Sequence, residues 1–268
     1  MTSRVATRTL AALLAAACCA PVAMAADKPA AAAPAAAAET ATRGVSAQAD
    51  RLLHEMGAYL AAAPEFTFSA DVTFDHLLPT GQKLQFGATE TVGVRRPDRV
   101  YVDWQSDLGE RRFWYDGKTL TITDPATPFY AEETAPKTID ETLALVETKL
   151  GFAPPLGDFL QSDPYKALRT DVRYGIYLGT SEVAGRECHS LAFVNKQIDW
   201  QIWIDTGPQP TPCKLVITYL TRPGQPQFSA VFSDWNFAPR IAPESFTADL
   251  APGSTKVPFK LQTAEGKK

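Results

Sequence analysis

The side chains that could perform chemistry are few and widely spaced in this 268-residue chain. Its three histidines are His54, His76 and His189, and none has a second histidine three or four residues away, as a helical metal site requires. Cys188 precedes His189, but neighbours on a strand point to opposite faces, so the two cannot bind one ion or act as nucleophile and base. The sequence therefore predicts no metal site and no cofactor.

Motifs of the common nucleophile and nucleotide enzymes do not occur, since the chain has no GxSxG, SxxK, P-loop or GxGxxG. Acidic residues near aromatic ones, as in a glycosidase, are Asp103, Asp116, Asp199 and Asp205. Asp116 precedes Gly117 in a turn, and Asp199 and Asp205 bracket a strand, so turn chemistry explains them without catalysis. The sequence predicts no catalytic residue.

Cys188 and Cys213 are the cysteines that remain if residues 1–25 are removed as an export signal. An even pair in an oxidising compartment favours a disulfide. If simple hairpins join the strands, both cysteines face Asp205 from opposite sides, about 9.5 Å apart, whereas a disulfide needs Cα atoms within about 7 Å. The bond remains compatible with a middle strand that ends before Asp205, because Gly207-Pro208 follows. A disulfide and two unpaired thiols both stay open.

Residues 1–25 have the pattern of an export signal. Arg4 and Arg8 precede an apolar run over 10–20, and Ala23-Met24-Ala25 provides the small-x-small cleavage pattern. The apolar run is shorter than the ~18 residues of a membrane helix, and no later segment reaches that length. The sequence therefore predicts a periplasmic protein, cleaved after Ala25, with no transmembrane segment.

A lipid-anchored form is the alternative to a cleaved, soluble one. Cys18 is the candidate attachment site, but such sites require a large aliphatic residue three positions earlier, where the chain has Ala15. Cys19 is no better placed, because Ala16 occupies that position. Lipid attachment is therefore the disfavoured alternative.

Composition is that of an ordinary globular protein, with 45% hydrophobic and 21% charged residues. The net charge of −4 becomes about −6 when Arg4 and Arg8 leave with the signal. No basic stripe is available to neutralise nucleic-acid phosphates or to adhere to an anionic membrane. After the signal we expect a disordered Ala/Pro-rich tether over 26–43, one folded domain over 44–260 and a disordered tail over 261–268.

Helical periodicity is confined to the start and the middle of the folded part. Ser46 can cap a helix over 47–62. The segment Thr138-Ile139-Asp140-Glu141 matches a capping box, and apolar residues then recur at helical spacing up to Gly151. A second short helical patch is predicted at 156–160, bounded by Pro154-Pro155 and Pro164. Two apolar helices therefore interrupt a series of strands.

Period-two alternation dominates the rest of the chain. The first strand alternates from Phe66 to Phe74, and Asp116-Gly117 forms the turn of a later hairpin. About ten such segments occur over ~215 residues, joined by short turns. They predict a mainly β (α+β) domain of successive antiparallel strands rather than βαβ units.

One face of the predicted sheet is unusually apolar. It presents Phe66, Phe68, Val72, Phe74, Leu84, Phe86, Val102 and Trp104. Two apolar helices are available to cover it, and both a filled core and a ligand-holding cavity are compatible with that pattern. The predicted lining of a cavity, from the sheet and the helices together, is Phe68, Val72, Phe74, Phe86, Trp104, Leu143, Val146 and Phe159.

Several segments are together similar to a family of uncharacterised exported bacterial proteins, DUF2092. They include Phe113–Leu120, the helical insertion over 138–165, Cys188–Phe193, Asp199–Ile204, Pro212–Tyr219 and Ser233–Asn236. The resemblance extends from about Ala47 to Phe259. The family is similar in architecture to the LolA/LolB lipoprotein carriers, which implies a curved antiparallel incomplete barrel with helices covering its open side. It implies an apolar concavity for acyl chains or a protein segment, and no catalytic residue.

The sequence and the resemblance together predict a periplasmic binding or carrier protein. Its ligand would be apolar: a lipid, an acyl chain or a lipoprotein segment. The alternative is an envelope regulatory module that binds a protein partner through sheet edges or the Trp203 face. A glycan-acting enzyme, the third hypothesis, requires two carboxylates about 5–10 Å apart.

Overall fold

The computed structural model describes residues 44–151 and 153–259. The predicted signal over 1–25 with Cys18, the tether over 26–43 and the tail over 261–268 lie outside the described residues. The helices are α1 (Ala47–Ala62), α2 (Ile139–Leu145) and α3 (Pro164–Arg169), with a π-helical turn at Val146–Leu150 and 3₁₀ turns at Gly157–Phe159 and Pro243–Phe246.

Twelve strands of the described chain form one curved, open sheet. They are β1 (Glu65–Leu77), β2 (Lys83–Arg95), β3 (Arg99–Ser106), β4 (Gly109–Tyr115), β5 (Thr119–Thr123), β6 (Phe129–Thr134), β7 (Tyr174–Val183), β8 (Arg186–Val194), β9 (Ile198–Asp205), β10 (Pro212–Tyr219), β11 (Gln227–Asn236) and β12 (Thr255–Lys256). Their order across the sheet is β12-β6-β5-β4-β3-β2-β1-β11-β10-β9-β8-β7. The predicted mainly β class is confirmed.

Strand β1 joins the two halves of the sheet, because it pairs with β2 on one side and with β11 on the other. Neighbours in each half are antiparallel, except that the two-residue strand β12 runs parallel to β6. Thr255 N donates to Pro128 O at 2.7 Å, and Val257 N donates to Tyr130 O at 2.8 Å. The strands β6 and β12, which lack a clear period-two pattern, account for the excess over the predicted ten.

Helix α1 has the bounds that the sequence predicts. The Ser46 side chain accepts a hydrogen bond from Ala49 N at 3.3 Å, which satisfies one of the free amides at the helix start. The helix ends before Pro64, which cannot continue a helical hydrogen-bond ladder. Its apolar stripe, buried against the sheet, consists of Ala49, Leu52, Leu53, Met56 and Leu60.

The half of the sheet around β1 and β11 is packed solid by aromatic rings. Phe68 stacks on Trp235 with ring centroids 4.6 Å apart, and Phe159 meets Phe232 edge-on at 5.5 Å. Phe68 and Phe159 are 1% and 0% exposed. This half of the interior is therefore a filled core rather than a cavity.

The helical insertion after β6 begins at Thr138, which is the N-cap that the capping-box sequence predicts. Glu141 N donates to Thr138 Oγ1 at 3.2 Å, but the Glu141 carboxylate accepts from that hydroxyl, at 3.0 Å, rather than from the Thr138 amide that a full capping box uses. The α-helix continues only to Leu145, where the π-helical turn replaces it, and Gly151 then takes the left-handed conformation. Thr148 Oγ1 donates to Ala144 O at 2.7 Å within the turn.

Helix α3 corrects the sequence analysis, which treats Pro164 as the end of a helical patch. Pro164 instead occupies the first turn of α3, where a proline is favoured because its missing N–H would have no partner. Asp163 caps this helix by accepting from Lys166 N at 2.9 Å. The predicted patch at 156–160 is itself reduced to the 3₁₀ turn at Gly157–Phe159.

Helices α1 and α3 pack closely because α1 has a glycine at the crossing. A Cβ on Gly57 would lie 2.7 Å from Tyr165 N and 2.9 Å from Tyr165 Cα. The Tyr165 hydroxyl and Arg169 Nε both donate to the Asp50 carboxylate, at 3.0 and 2.9 Å. The short helix α3 is thus held against α1 by the close approach at Gly57 and by the Asp50 carboxylate, which accepts from two of its side chains.

We predict that Gly57→Ala destabilises the protein. Alanine gains about 1 kcal/mol in helix propensity, but its methyl group would overlap backbone atoms of α3, so we expect a net loss of about 1–2 kcal/mol. Urea unfolding measures this loss of stability. Ala58→Gly is the control: Ala58 lies at the exposed neighbouring position of the same helix, so its variant reports the effect of helix propensity alone. A Gly57→Ala protein more stable than the wild type would contradict this packing.

Cys188 and Cys213 form a disulfide in the structure, with their Cα atoms 6.8 Å apart. Cys188 lies opposite Asp205 as expected, but the expected position of Cys213 is wrong. Pro212 pairs with Ile204 while Lys214 pairs with Trp203, so Cys213 is the extra residue of a β-bulge. Because a bulge bends its strand and redirects the side chain, the distance falls below that of a regular register.

The disulfide closes a loop of 25 residues in sequence separation. The chain-entropy relation gives about 3 kcal/mol for such a loop. We therefore expect the double variant Cys188→Ala/Cys213→Ala, or reduction of the wild type, to lower the free energy of unfolding by about that amount. Reductant must leave the stability of the double variant unchanged, and an equal reductant effect on both proteins would exclude the bond.

Candidate ligand-binding cavity

A partly enclosed cavity lies between the helical insertion and the half of the sheet formed by β2–β5. Its volume is about 110 Å³, and about 750 Å³ of space is present when the open mouth is included. The lining is Glu90, Val92, Val100, Val102, Phe113, Tyr115, Leu120, Ile122, Ile139, Thr142, Leu143, Val146, Pro154, Leu156, Gly157 and Leu160. The insertion therefore covers this half of the sheet without filling it.

The floor of the cavity consists of two rungs of cross-strand neighbours. In one rung Val102 lies opposite Val92 and Phe113, and Phe113 lies opposite Ile122. In the other, Val100, Tyr115 and Leu120 are successive neighbours on β3, β4 and β5. Since side chains directly opposite each other share one face, the period-two pattern places all of them inward.

The roof of the cavity is the segment over 139–160. Ile139, Leu143 and Val146 line the void at helical spacing, and Leu156 and Leu160 complete it after the chain turns back. Gly157 lies where the two parts of the roof meet, and a Cβ there would lie 3.3 Å from Leu143 Cδ2.

The roof is tied to the rest of the domain at both ends of its sequence. Ile139 N donates to Pro97 O at 2.9 Å, and an Arg96 guanidinium nitrogen donates to Leu160 O at 2.6 Å. Between these ends, Lys149 of the π-helical turn forms an ion pair of 3.8 Å with Glu133 on β6, and both side chains are well exposed. Exposed pairs of this kind contribute little to stability.

Two polar groups interrupt the apolar lining. Glu90 lies on the inner face of β2, between Ala70 on β1 and Trp104 on β3. Burial raises the pKa of its carboxyl from the ordinary 4.5 to about 7, because a carboxylate is poorly solvated among apolar groups. Thr142 on the roof is 4% exposed, and its hydroxyl makes no hydrogen bond of normal geometry.

Glu90 is the residue of this site that sequence reasoning missed. It occupies an inward position of β2, because Ala88 and Val92 on either side of it in the alternation also face inward. A charged residue at an inward position breaks an otherwise apolar period-two pattern, so the signal was present in the sequence.

The predicted lining residues fall into three groups. Leu143 and Val146 line the cavity. Phe68, Val72 and Phe159 do not, because they are 2% exposed or less and belong to the filled half of the interior. Phe74, Phe86 and Trp104 lie together on the inner face of the sheet, half-buried, with Phe74 6.0 Å from Phe86 and 5.9 Å from Trp104 between ring centroids.

The four acidic residues considered for catalysis have other partners. The Asp116 carboxylate accepts from Lys118 N and Thr119 N, at 2.9 and 2.8 Å, within its turn. Asp205 similarly accepts from Gly207 N at 2.8 Å. Asp103 forms an ion pair of 3.6 Å with Arg112, and Asp199 lies in β9 opposite Val194. None of the four lines the cavity beneath the roof.

The histidines lie apart from one another. His189 Nδ1 is 3.2 Å from the Tyr177 hydroxyl, His54 packs edge-on against Tyr165, and His76 lies near Phe86. Over residues 44–151 and 153–259, no three His, Cys, Asp or Glu side chains are grouped closely enough to hold a metal ion. No described helix is both long and apolar enough to cross a membrane.

The sequence model of DUF2092, described as a predicted periplasmic protein, matches residues 49–260. The chain belongs to the DUF2092 family. The match covers most of the chain and includes every strand described above and all of the helices except the first two residues of α1, so the resemblance found in the sequence is confirmed. A comparison with curated proteins finds no match.

Solved structures similar to this DUF2092 protein include three bacterial proteins. Lipoprotein LppX of Mycobacterium tuberculosis is 10% identical, with 70% of this chain and 95% of that chain covered and a TM-score of 0.45. LprF from Mycobacterium bovis is 13% identical, with 72% and 94% covered and a TM-score of 0.41. A LolA superfamily protein from Nitrosomonas europaea is 9% identical, with 75% and 98% covered and a TM-score of 0.35.

The raised pKa of Glu90 predicts a pH-dependent stability. The folded protein holds this proton up to a pH of about 7, whereas the unfolded chain loses it near 4.5, so the free energy of unfolding falls as the pH rises between these values. Glu90→Gln removes the titrating carboxyl, and with it this fall in the free energy of unfolding. We expect the variant to gain stability over the wild type by up to about 3 kcal/mol on going from pH 4 to pH 8.

Urea unfolding at both pH values tests this expectation, because titrations common to both proteins cancel in the difference. Glu182→Gln, on the exposed part of β7, is the matched control and should show no pH-dependent gain. A constant difference between Glu90→Gln and wild type across this range would show that the carboxyl is solvated.

Proposed function

We propose that this protein binds an apolar ligand in the roofed cavity and sequesters or carries it in the periplasm. The observation that supports the proposal is the cavity itself, whose lining is apolar apart from Glu90, Thr142 and the Tyr115 hydroxyl. Water gains few hydrogen bonds in such a space, whereas an apolar chain gains about 0.8 kcal/mol per buried CH₂ group. A lipid, an acyl chain or a lipidated protein segment fits this chemistry.

Ligand entry would use the π-helical turn of the roof. Hydrogen bonds at Ile139 and Leu160 keep the insertion on the sheet, while the Val146–Leu150 turn meets β6 through the exposed Lys149–Glu133 ion pair. π-helical turns often occur at functional sites, because their irregular hydrogen bonding lets the helix change shape. Movement of the Val146–Leu150 turn would widen the mouth without unfolding the domain.

The proposed location follows from the family and from the N-terminus. DUF2092 is described as periplasmic, and residues 1–25 have the composition of an export signal. We propose that cleavage after Ala25 releases the protein to act there, without a membrane anchor.

A variant that fills the cavity tests the proposed function. Val146→Phe adds a ring at the centre of the roof, so we expect at least a tenfold loss of affinity for the apolar fluorophore N-phenyl-1-naphthylamine. Val216→Phe is the matched control, because Val216 lies on β10 and not in the lining. Fluorescence titration measures both. The proposal would be contradicted if the wild type did not bind the fluorophore, or if Val146→Phe bound it as tightly as the wild type.

A second candidate is an envelope module that binds a protein partner. The edge strand β7 favours it beyond Gly175, which already pairs with Val45, since Leu178 is 49% exposed there. An edge strand with apolar side chains can accept a strand from another chain. Recovery of one stoichiometric envelope protein, lost in the Leu178→Lys variant and unaffected by Val146→Phe, would favour this function over ligand carriage.

A further inference from the structure

Glu90 marks the place where the roofed part of the sheet ends. Along the inner face of β2, Val94 and Val92 are 0% and 1% exposed, whereas Ala88 and Phe86 are half-buried. Glu90 lies between these two pairs. An elongated ligand that filled the roofed part would therefore bring its end, rather than its middle, to this carboxyl.

No cation of the lining faces the carboxyl of Glu90. Its neighbours across the strands are Ala70 and Trp104, and the residues at the middle of the roof, Leu143 and Val146, are apolar. Arg111, on the strand beyond Trp104, is occupied by an ion pair of 2.7 Å with Asp124. Of the described residues, the lining includes no Lys, Arg or His.

The charged groups of the roof belong to its other side. Asp140, Glu147 and Asp158 line a separate pocket on the insertion, and all three are acidic. They would attract a cation towards the roof and repel an anion. Lys149, the basic residue of the π-helical turn, is directed to Glu133.

The Thr142 hydroxyl supplies a second acceptor in the same cavity. It lies on the roof, is almost fully buried and has no hydrogen bond of normal geometry. The neighbouring Tyr115 hydroxyl directs its own proton to Pro136 O at 2.7 Å, so the Thr142 oxygen keeps free capacity to accept a hydrogen bond from a ligand. Trp104 adds an aromatic face beside Glu90, which also attracts a cation.

We infer that the cavity selects single-chain amphiphiles whose polar end is a primary amine, with the ammonium group paired to Glu90. This inference rests on the proposed function and specifies its ligand. An ammonium has three N–H donors for acceptors that the lining leaves free. A fatty acid would instead bring a second carboxylate beside Glu90, where no described lining residue carries a positive charge to neutralise the pair, which is unfavourable. Burial raises the pKa of Glu90 to about 7, so the pairing also restores the charged form near neutral pH.

The test compares ligands that share one chain and differ in the polar end. Decylamine, 1-decanol and decanoate each displace N-phenyl-1-naphthylamine from the wild type at pH 7.5. We expect decylamine to bind at least tenfold more tightly than decanol, and decanoate to bind more weakly than decanol. Glu90→Gln should lose at least tenfold in decylamine affinity, so that its preference for decylamine over decanol disappears. Glu182→Gln, the matched exposed control, should behave as the wild type.

The pH dependence gives an independent readout. Below a pH of about 7 the free carboxyl of Glu90 is protonated, so an ammonium must displace that proton to bind. Decylamine affinity should therefore fall by at least fivefold between pH 7.5 and pH 5.5, while decanol affinity stays constant. Glu90→Gln should abolish this difference.

The outcomes separate this inference from the proposed function. Decanoate binding as tightly as decylamine, or an amine preference that survives Glu90→Gln, overturns the inference, while decanol binding upholds the apolar site. Failure of all three decyl compounds and of the fluorophore to bind overturns the proposed function and the inference together.

Discussion

The structure depends on keeping the inner face of one large sheet away from water. That face is apolar across β1–β5 and β11, and the free energy of hiding it is proportional to its area. Helix α1 and a group of aromatic rings fill the space over one half. Over β2–β5 the described residues of the insertion between β6 and β7 cover the sheet and leave a space beneath them. Covering without filling creates the cavity.

A roof of this kind must satisfy two opposed requirements. It must remain on the sheet, since the floor residues Val100, Val102 and Phe113 would otherwise meet solvent, and the hydrogen bonds at Pro97 and Leu160 provide that attachment. It must also avoid collapsing into the void, and the two prolines Pro154 and Pro155 between its parts restrict the backbone conformations open to it.

Local sequence patterns identified most of the elements but not the volume between them. The alternation from Phe66 to Phe74 shows which face of β1 is apolar, and the capping-box sequence at Thr138 shows where a helix begins. Both signals depend only on neighbours in the chain. Whether Phe68 meets Trp235 or a void depends on residues far apart in sequence. The filled half and the hollow half of the sheet therefore have the same local sequence pattern. The bulge at Cys213 was equally invisible, since a single extra residue leaves the alternation on either side intact. Glu90 stands out in the sequence as a charged residue at an inward position of β2, but the alternation alone does not show that a void lies beside it.

The shortest strand of the sheet has a consequence for how the chain matures. β12 covers only two residues of the edge of β6, yet it occupies the carbonyl groups of Pro128 and Tyr130 next to the hollow half of the domain. Until Thr255 and Lys256 pair there, that edge is an open template beside a large apolar trough, a combination that favours self-association. Since Thr255 follows its partner Phe129 by 126 positions in the chain, this edge is protected from other copies only after the whole intervening part of the domain has been made.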